Sequence, residues 1–190
     1  MHIKSYLYAA AEIASNVDPL MAEAMATELA RVRQNNGKVY VIGIGGSLAN
    51  AVHMAADLLR LCNVDASAPA NMAEMTAAAN DEGWEHIFDG FLRRIDNYDC
   101  LFVLSVGGGT ETVSKAISNS VKKAKGAGAS VLGIVGPDGG ITAELVDIVI
   151  RIPCGGSSGR AVTPHTEAFQ AVIWHALVSH PLLQRNATKW

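Results

Sequence analysis

The sequence predicts an α/β fold, a five-stranded parallel sheet covered by helices on both faces and preceded by two N-terminal helices. Three observations predict it. From residue 39 onward, short apolar, β-branched runs alternate with longer segments of helical periodicity. The runs are apolar throughout, as in strands buried on both faces. Two of them end in glycine turns: Val39-Tyr40-Val41-Ile42-Gly43-Ile44-Gly45-Gly46-Ser47, and Leu101-Phe102-Val103-Leu104-Ser105-Val106-Gly107-Gly108-Gly109-Thr110.

In order, Ile3 to about Gln34 reads as two helices, with apolar residues at Ile3, Leu7, Ala10, Ala14 and then Met21, Met25, Leu29, Val32, broken near Asn16 to Pro19. A small sheet domain has no evident room for both apolar stripes, so they are expected to pack against another subunit. Strand 39–44 and helix 47–61 follow, then a short extended stretch from Asp65 to Pro69. Helical segments at 71–78 and 84–95 are split by Asn80-Asp81-Glu82-Gly83. Strand 100–105, helix 110–125, strand 130–135, the turn Gly136-Pro137-Asp138-Gly139-Gly140, a short helix and strand 147–152 complete the alternation. Gly155-Gly156-Ser157-Ser158-Gly159 reads as a loop. Thr163 is the expected cap of a last helix with Pro164 in its first turn, running to about His180 before Pro181.

A chain of 190 residues suits one domain, divided here into a helical segment, 1–35, and an α/β core, 36–190. The net charge of −3 and the lack of a basic block beyond Lys122-Lys123-x-Lys125 exclude an electrostatic footprint for nucleic acid. Cys62, Cys100 and Cys154 are scattered, with no C-x-x-C, which points to a reducing compartment and away from a cysteine zinc knuckle. No apolar run reaches transmembrane length, Glu12 interrupts the N-terminal one, and a cytoplasmic location is expected.

A strand that feeds a helix N-terminus through glycines presents free N–H groups and the positive end of a helix dipole, a seat for an anion. Either loop alone is also explained as a tight turn; two of them at strand ends of one small domain point to a phosphorylated small molecule. Neither is a dinucleotide fingerprint or a Walker loop, since the third glycine and the Gly-Lys-Ser/Thr are missing. His53 and Asp57, four apart, share one helix face and suit a metal or an acid–base pair, or a solvated pair with Arg60 as the ion partner of Asp57. Glu167 and His175 lie about 12 Å apart along the last helix. His175 sits in a run apolar nearly all round, which also suits a buried core histidine.

With these motifs assembled, the chain resembles the SIS (sugar isomerase) domain proteins, and among them the sedoheptulose-7-phosphate (phosphoheptose) isomerases. The resemblance runs nearly end to end, through the leading helices, Gly43-x-Gly45-Gly46-Ser47, His53-x-x-x-Asp57, Asn80-Asp81, the Ser105 loop, Gly136-x-Asp138-Gly139-Gly140 and the last helix. It implies a three-layer sandwich and a homotetramer with active sites between subunits. It also implies interconversion of sedoheptulose 7-phosphate and D-glycero-D-manno-heptose 7-phosphate, the entry to heptoses of bacterial lipopolysaccharide or capsule. By the same resemblance, His53, Asp57, Glu167 and His175 fall on positions that can bind zinc, one per subunit. Asp57 and His175 fall on the proton-transfer positions, roles that one residue cannot hold together with metal ligation at the same instant. Gly45, Gly46, Ser47, Ser105, Gly107, Gly108 and Thr110 fall on phosphate and substrate positions, and Asn80-Asp81 on the pair that approaches the sugar.

Four positions depart from the family pattern. Glu becomes Asp57, Gln becomes Glu167, the Asn of the first turn becomes Ile44, and the middle serine of the second loop becomes Gly107. The alternative to an isomerase is a non-catalytic SIS scaffold or a phosphosugar-binding regulator. The acidic and histidine residues at all four metal positions favour the enzyme, because a scaffold has no use for them.

Overall fold

The computed structural model describes residues 1–155 and 161–188. Helices α1 (His2–Asn16) and α2 (Pro19–Gln34) lead into strand β1 (Lys38–Ile42), helix α3 (Gly46–Cys62), strand β2 (Asp65–Ser67) and helix α4 (Met72–Asp81). Strand β3 (Cys100–Ser105), helix α5 (Lys115–Gly126), strand β4 (Ser130–Val135), helix α6 (Gly140–Leu145), strand β5 (Ile148–Arg151) and helix α7 (Val162–Val178) follow. The sheet is parallel throughout, in the order β2-β1-β3-β4-β5.

Side chains alternate across this sheet with the period of two that strands impose. Val39 and Val41 of β1, with Phe102 and Leu104 of β3, join a core built from α2, α3 and α7. Tyr40 and Ile42, with Leu101 and Val103, join a second core with Ile117 and Val121 of α5 and with Ile87, Phe88 and Leu92. The result is three layers, helices on each side of one sheet, as predicted.

The N-terminal pair divides differently from the expectation. Asp18 caps α2 by accepting from Leu20 N–H at 2.9 Å, with Pro19 as the first helical residue. Met25, Ala26, Leu29 and Val32 of α2 are fully buried in the chain's own core. The α2 stripe therefore covers this sheet and is not left for another subunit. By contrast α1 buries only Ile13 and leaves Ile3, Leu7 and Tyr8 more than 60% exposed. Tyr6 ties α1 down by stacking on His165, rings 4.1 Å apart.

Other boundaries shift for local reasons. Asn80 and Asp81 form the last turn of α4 instead of a break. Residues 84–95 are not a helix: Trp84–His86 is a 3₁₀ turn, and bonds such as Asp89 N–H to His86 C=O (2.9 Å) continue as tight turns. Helix 110–125 starts only at Lys115. Thr110 Oγ1 accepts from Thr112 N–H (3.2 Å) and Val113 N–H (2.8 Å), closing a turn that the helix cannot include, and Ser114 takes φ +53°. Thr163 is not the cap of α7 but its second residue, since His165 N–H already donates to Ala161 C=O at 3.0 Å. Of the predicted 155–159 loop, 156–159 lie outside the described residues.

Candidate functional site

The strand order reverses between β1 and β3, and ligands of open parallel sheets bind beyond the carboxyl ends of the strands that flank such a reversal. Both glycine turns leave the sheet there. After β1, Gly45 (φ +65°, ψ −128°) precedes α3, and Leu48 and Ala49 N–H return to its carbonyl at 3.0 and 3.2 Å. Gly46 and Ser47 thus bring the first N–H groups of α3 to the crevice, where they have no acceptor within the helix. Ser47 is 2% exposed, and its hydroxyl accepts from Gln170 Nε2 at 3.2 Å. Gln170 in turn accepts from Asn50 Nδ2 at 3.0 Å, which also donates to the Glu167 carbonyl at 2.9 Å.

After β3, Ser105 accepts from Gly108 N–H at 3.1 Å. The N-terminus of α6 grips the same loop from below: Thr142 N–H and Oγ1 donate to Gly108 C=O (3.0 and 2.6 Å), and Ile141 N–H to Gly109 C=O (2.9 Å). The hydroxyl of Thr110 is engaged in its own turn, five residues ahead of α5, rather than at a helix start. At the end of α4, Asn80 Nδ2 donates to Asp81 Oδ1 at 2.7 Å, and both side chains are exposed.

Further along α3, three predicted residues converge. His53, Asp57 and His175 each offer a ligand atom, and these atoms lie within 4.8 Å of one another. His53 Nε2 is 3.6 Å from Asp57 Oδ2. His175 is exposed, not a core histidine, and its Nδ1 lies 2.8 Å from Ala171 C=O. A carbonyl only accepts, so Nδ1 carries the hydrogen and Nε2 keeps its lone pair for a proton or a metal. Two imidazoles and a carboxylate at this spacing match the donor set of a divalent-ion site with an open position. The group opens on a cavity of about 930 Å³, walled by Arg60 and by the C-terminal residues Gln184, Asn186 and Ala187. Asn186 Nδ2 holds that wall to the Arg60 carbonyl at 2.7 Å.

Glu167 does not join this group. It lies two turns of α7 away, with its carboxylate against Gly46, where a Cβ on residue 46 would overlap it. The reason is the N-terminus of α3, which has no acidic residue in its own first turn and draws the Glu167 carboxylate by its dipole. A second acidic and histidine group, Glu82, His86 and Asp89, already has internal partners: His86 Nδ1 at 2.8 Å and Lys123 Nζ at 3.6 Å from Asp89. The thiols are unpaired and buried, and burial pushes Cys62 up to about 11 and Cys100 up to about 12, so neither serves as a nucleophile. Among the described residues no helix is long and apolar enough to cross a membrane.

Sequence reasoning missed Asn50 and Trp174 and gave Gln170 no role. The signal for Asn50 was present: Ser47, Asn50, His53, Asp57 and Arg60 recur at helical spacing as a polar stripe on an otherwise apolar helix.

A parallel sheet with this reversal and glycine loops at two strand ends is a doubly wound α/β arrangement, and residues 5–136 match the family model described as the SIS domain. The phosphoheptose isomerase of Rhodospirillum rubrum is 35% identical over 169 residues, which cover 84% of this chain and 82% of the relative. That of Chlorobaculum parvum is 31% identical over 179 residues, 88% of this chain and 80% of the relative. The structure of phosphoheptose isomerase from Neisseria gonorrhoeae superposes with a TM-score of 0.80 at 25% identity, covering 93% of each chain. One from Francisella tularensis gives 0.79 at 27% identity, covering 93% and 92%. The chain belongs to the phosphoheptose isomerases of the SIS-domain family.

Proposed function

We propose that this chain interconverts sedoheptulose 7-phosphate and D-glycero-D-manno-heptose 7-phosphate, an aldose–ketose isomerisation through an enediol. The observation that carries the reading is α3 itself, which presents an anion seat at Gly46-Ser47 and a proton-transfer group at His53, Asp57 and His175. Ser47 and His53 are separated by roughly 9 Å along the helix axis. An open-chain heptose phosphate spans a comparable distance from carbonyl to phosphorus.

In this reading the N–H groups of both loops, with Ser47, Ser105 and Thr110, hold the phosphate, and Asn80 and Asp81 face the sugar hydroxyls. Asp57 and His175 divide the proton transfers. One removes the proton from the carbon beside the carbonyl and returns it to the neighbouring carbon. The other protonates the carbonyl oxygen to give the enediol and takes the proton from the adjacent hydroxyl as the new carbonyl forms. A divalent ion, zinc in the family pattern, would be held by His53, Asp57 and His175 and would supply polarisation of the substrate carbonyl, and Asp57 or His175 moves a proton only while its own lone pair is not engaged by that ion. The scaffold alternative has no use for a histidine whose Nε2 is left free beside a carboxylate. A coupled assay with sedoheptulose 7-phosphate tests the reading directly. Turnover of the phosphate ester with none of the free sugar is expected, and equal turnover of both would reduce the glycine turns to folding devices.

Glu167→Gln separates the phosphate seat from the metal group. Removing a fixed negative charge from the α3 N-terminus is expected to lower KM for the phosphosugar about two- to fivefold, the equivalent of about 0.4–1 kcal/mol. Bound metal, measured by elemental analysis, should stay at the wild-type ratio. Loss of metal in this variant would restore Glu167 to the ligand set.

We also propose a homotetramer that uses the exposed face of α1, in the cytoplasm, where buried unpaired thiols persist. Leu7→Glu combined with Tyr8→Glu changes only exposed positions and is expected to lower the assembled mass in light scattering without unfolding the chain. Unchanged mass would remove α1 from the interface.

A further inference from the structure

Trp174 of α7 is fully buried in the core that α7 shares with α3, yet it borders both imidazoles of the proposed metal group. Its ring stacks on His175 with centroids 3.5 Å apart and planes at 28°, and meets His53 edge-on at 4.6 Å and 66°. The two imidazoles are themselves 5.5 Å apart and nearly perpendicular, at 87°. The indole Nε1–H finds no acceptor among the described residues. A buried donor without a partner is unfavourable, and leucine or phenylalanine would fill an apolar core without that cost. Core packing alone therefore does not account for an indole here.

The geometry gives it another task. An exposed histidine has a broad χ2 torsion, and each imidazole must hold its Nε2 toward a shared point for an ion to be bound by both. The stacked indole face restricts rotation of the His175 ring, while the Nδ1–H bond to Ala171 fixes its tautomer. The indole also meets the His53 ring at a steep angle, and His53 Nε2 faces Asp57.

We propose that Trp174 is a positioning residue that sets the planes of His53 and His175 and thereby the affinity and geometry of divalent-ion binding with Asp57. The inference rests on the metal reading above and concerns ion binding, not turnover. The test is calorimetric titration of chelator-treated protein with Zn²⁺, alongside the ligand-field spectrum and tryptophan emission of the Co²⁺ form. Trp174→Leu, which removes the aromatic wall, is expected to bind Zn²⁺ about 10–100-fold more weakly, the usual effect of losing a support behind metal ligands. Trp174→Phe keeps part of the wall and is expected to bind about threefold more weakly with a changed Co²⁺ spectrum. Co²⁺ should quench emission in the wild type and in Trp84→Phe/Trp190→Phe, which keeps Trp174 as its one tryptophan, and the quenching should be weaker in Trp174→Phe. If Trp174→Leu does not fold, the Trp174→Phe spectrum decides. Wild-type Zn²⁺ affinity together with an unchanged Co²⁺ spectrum in Trp174→Phe would overturn the proposal. A wild-type protein that takes up neither ion would instead overturn the metal reading, and this inference with it.

Discussion

Replacing His175 by glutamine is expected to lower kcat for sedoheptulose 7-phosphate by about 10²–10⁴-fold, the range by which a positioned acid–base group accelerates proton transfer. His175 is exposed on α7 and touches the core through its stack on Trp174, so the change removes one ring contact, and thermal unfolding should stay within about 1 kcal/mol of the wild type. Glutamine can still donate a hydrogen bond but carries no proton across neutral pH. The effect therefore belongs in kcat, with KM little altered, because the phosphate is held far along α3 at Gly46 and Ser47. Asp57→Asn should fall in the same range, since an amide neither accepts the proton nor balances an imidazolium. A His175→Gln enzyme with wild-type kcat would leave Asp57 as the sole carrier and remove His175 from the chemistry.

The strands were legible because their cue is local. Cys100–Ser105 and Ser130–Val135 are continuous apolar runs, and a strand buried on both faces needs nothing else to be recognised. The pairing of His53 with Asp57 was legible for a similar reason, since helical spacing alone puts them side by side. Where the reading depended on what an element packs against, it failed. The apolar stripe of α2 announces burial but not its partner, and the partner is this chain's own sheet. The start of α5 was misplaced because the Thr110 hydroxyl competes with the helix for the N–H groups of Thr112 and Val113, and periodicity does not register that competition. Glu167 illustrates the limit most clearly. Its eight-residue spacing from His175 says nothing about the N-terminus of α3, which lies more than a hundred residues earlier in the chain and sets where the carboxylate goes. Trp174 was hidden in an apolar run, where only the contact between α3 and α7 reveals that it backs the imidazoles.

Adjacent glycines in the second loop should respond in opposite ways. Gly108 has φ +67°, and a Cβ there would overlap the Gly139 carbonyl at the start of α6. Its own carbonyl is the acceptor for both Thr142 groups, so the peptide cannot move aside without breaking those bonds. Left-handed backbone for a non-glycine residue costs about 1–3 kcal/mol, and each buried hydrogen bond lost adds about 1–3 kcal/mol. Gly108→Ala is therefore expected to lower the unfolding midpoint by several degrees and to raise KM for the phosphosugar at least tenfold, as the N–H cradle is displaced. At Gly107 an added Cβ would meet nothing within 4 Å, and the residue has no positive φ. Gly107→Ser, which restores the serine of the family pattern, should fold normally and lower KM about three- to tenfold, by giving a charged phosphate one more hydroxyl donor. The two variants are to be compared by thermal unfolding and by KM for sedoheptulose 7-phosphate against the free sugar. If the serine left KM unchanged while Gly108→Ala still raised it, the phosphate would rest on backbone N–H groups alone, and the hydroxyl lost at residue 107 would have no bearing on which sugar phosphate this enzyme takes.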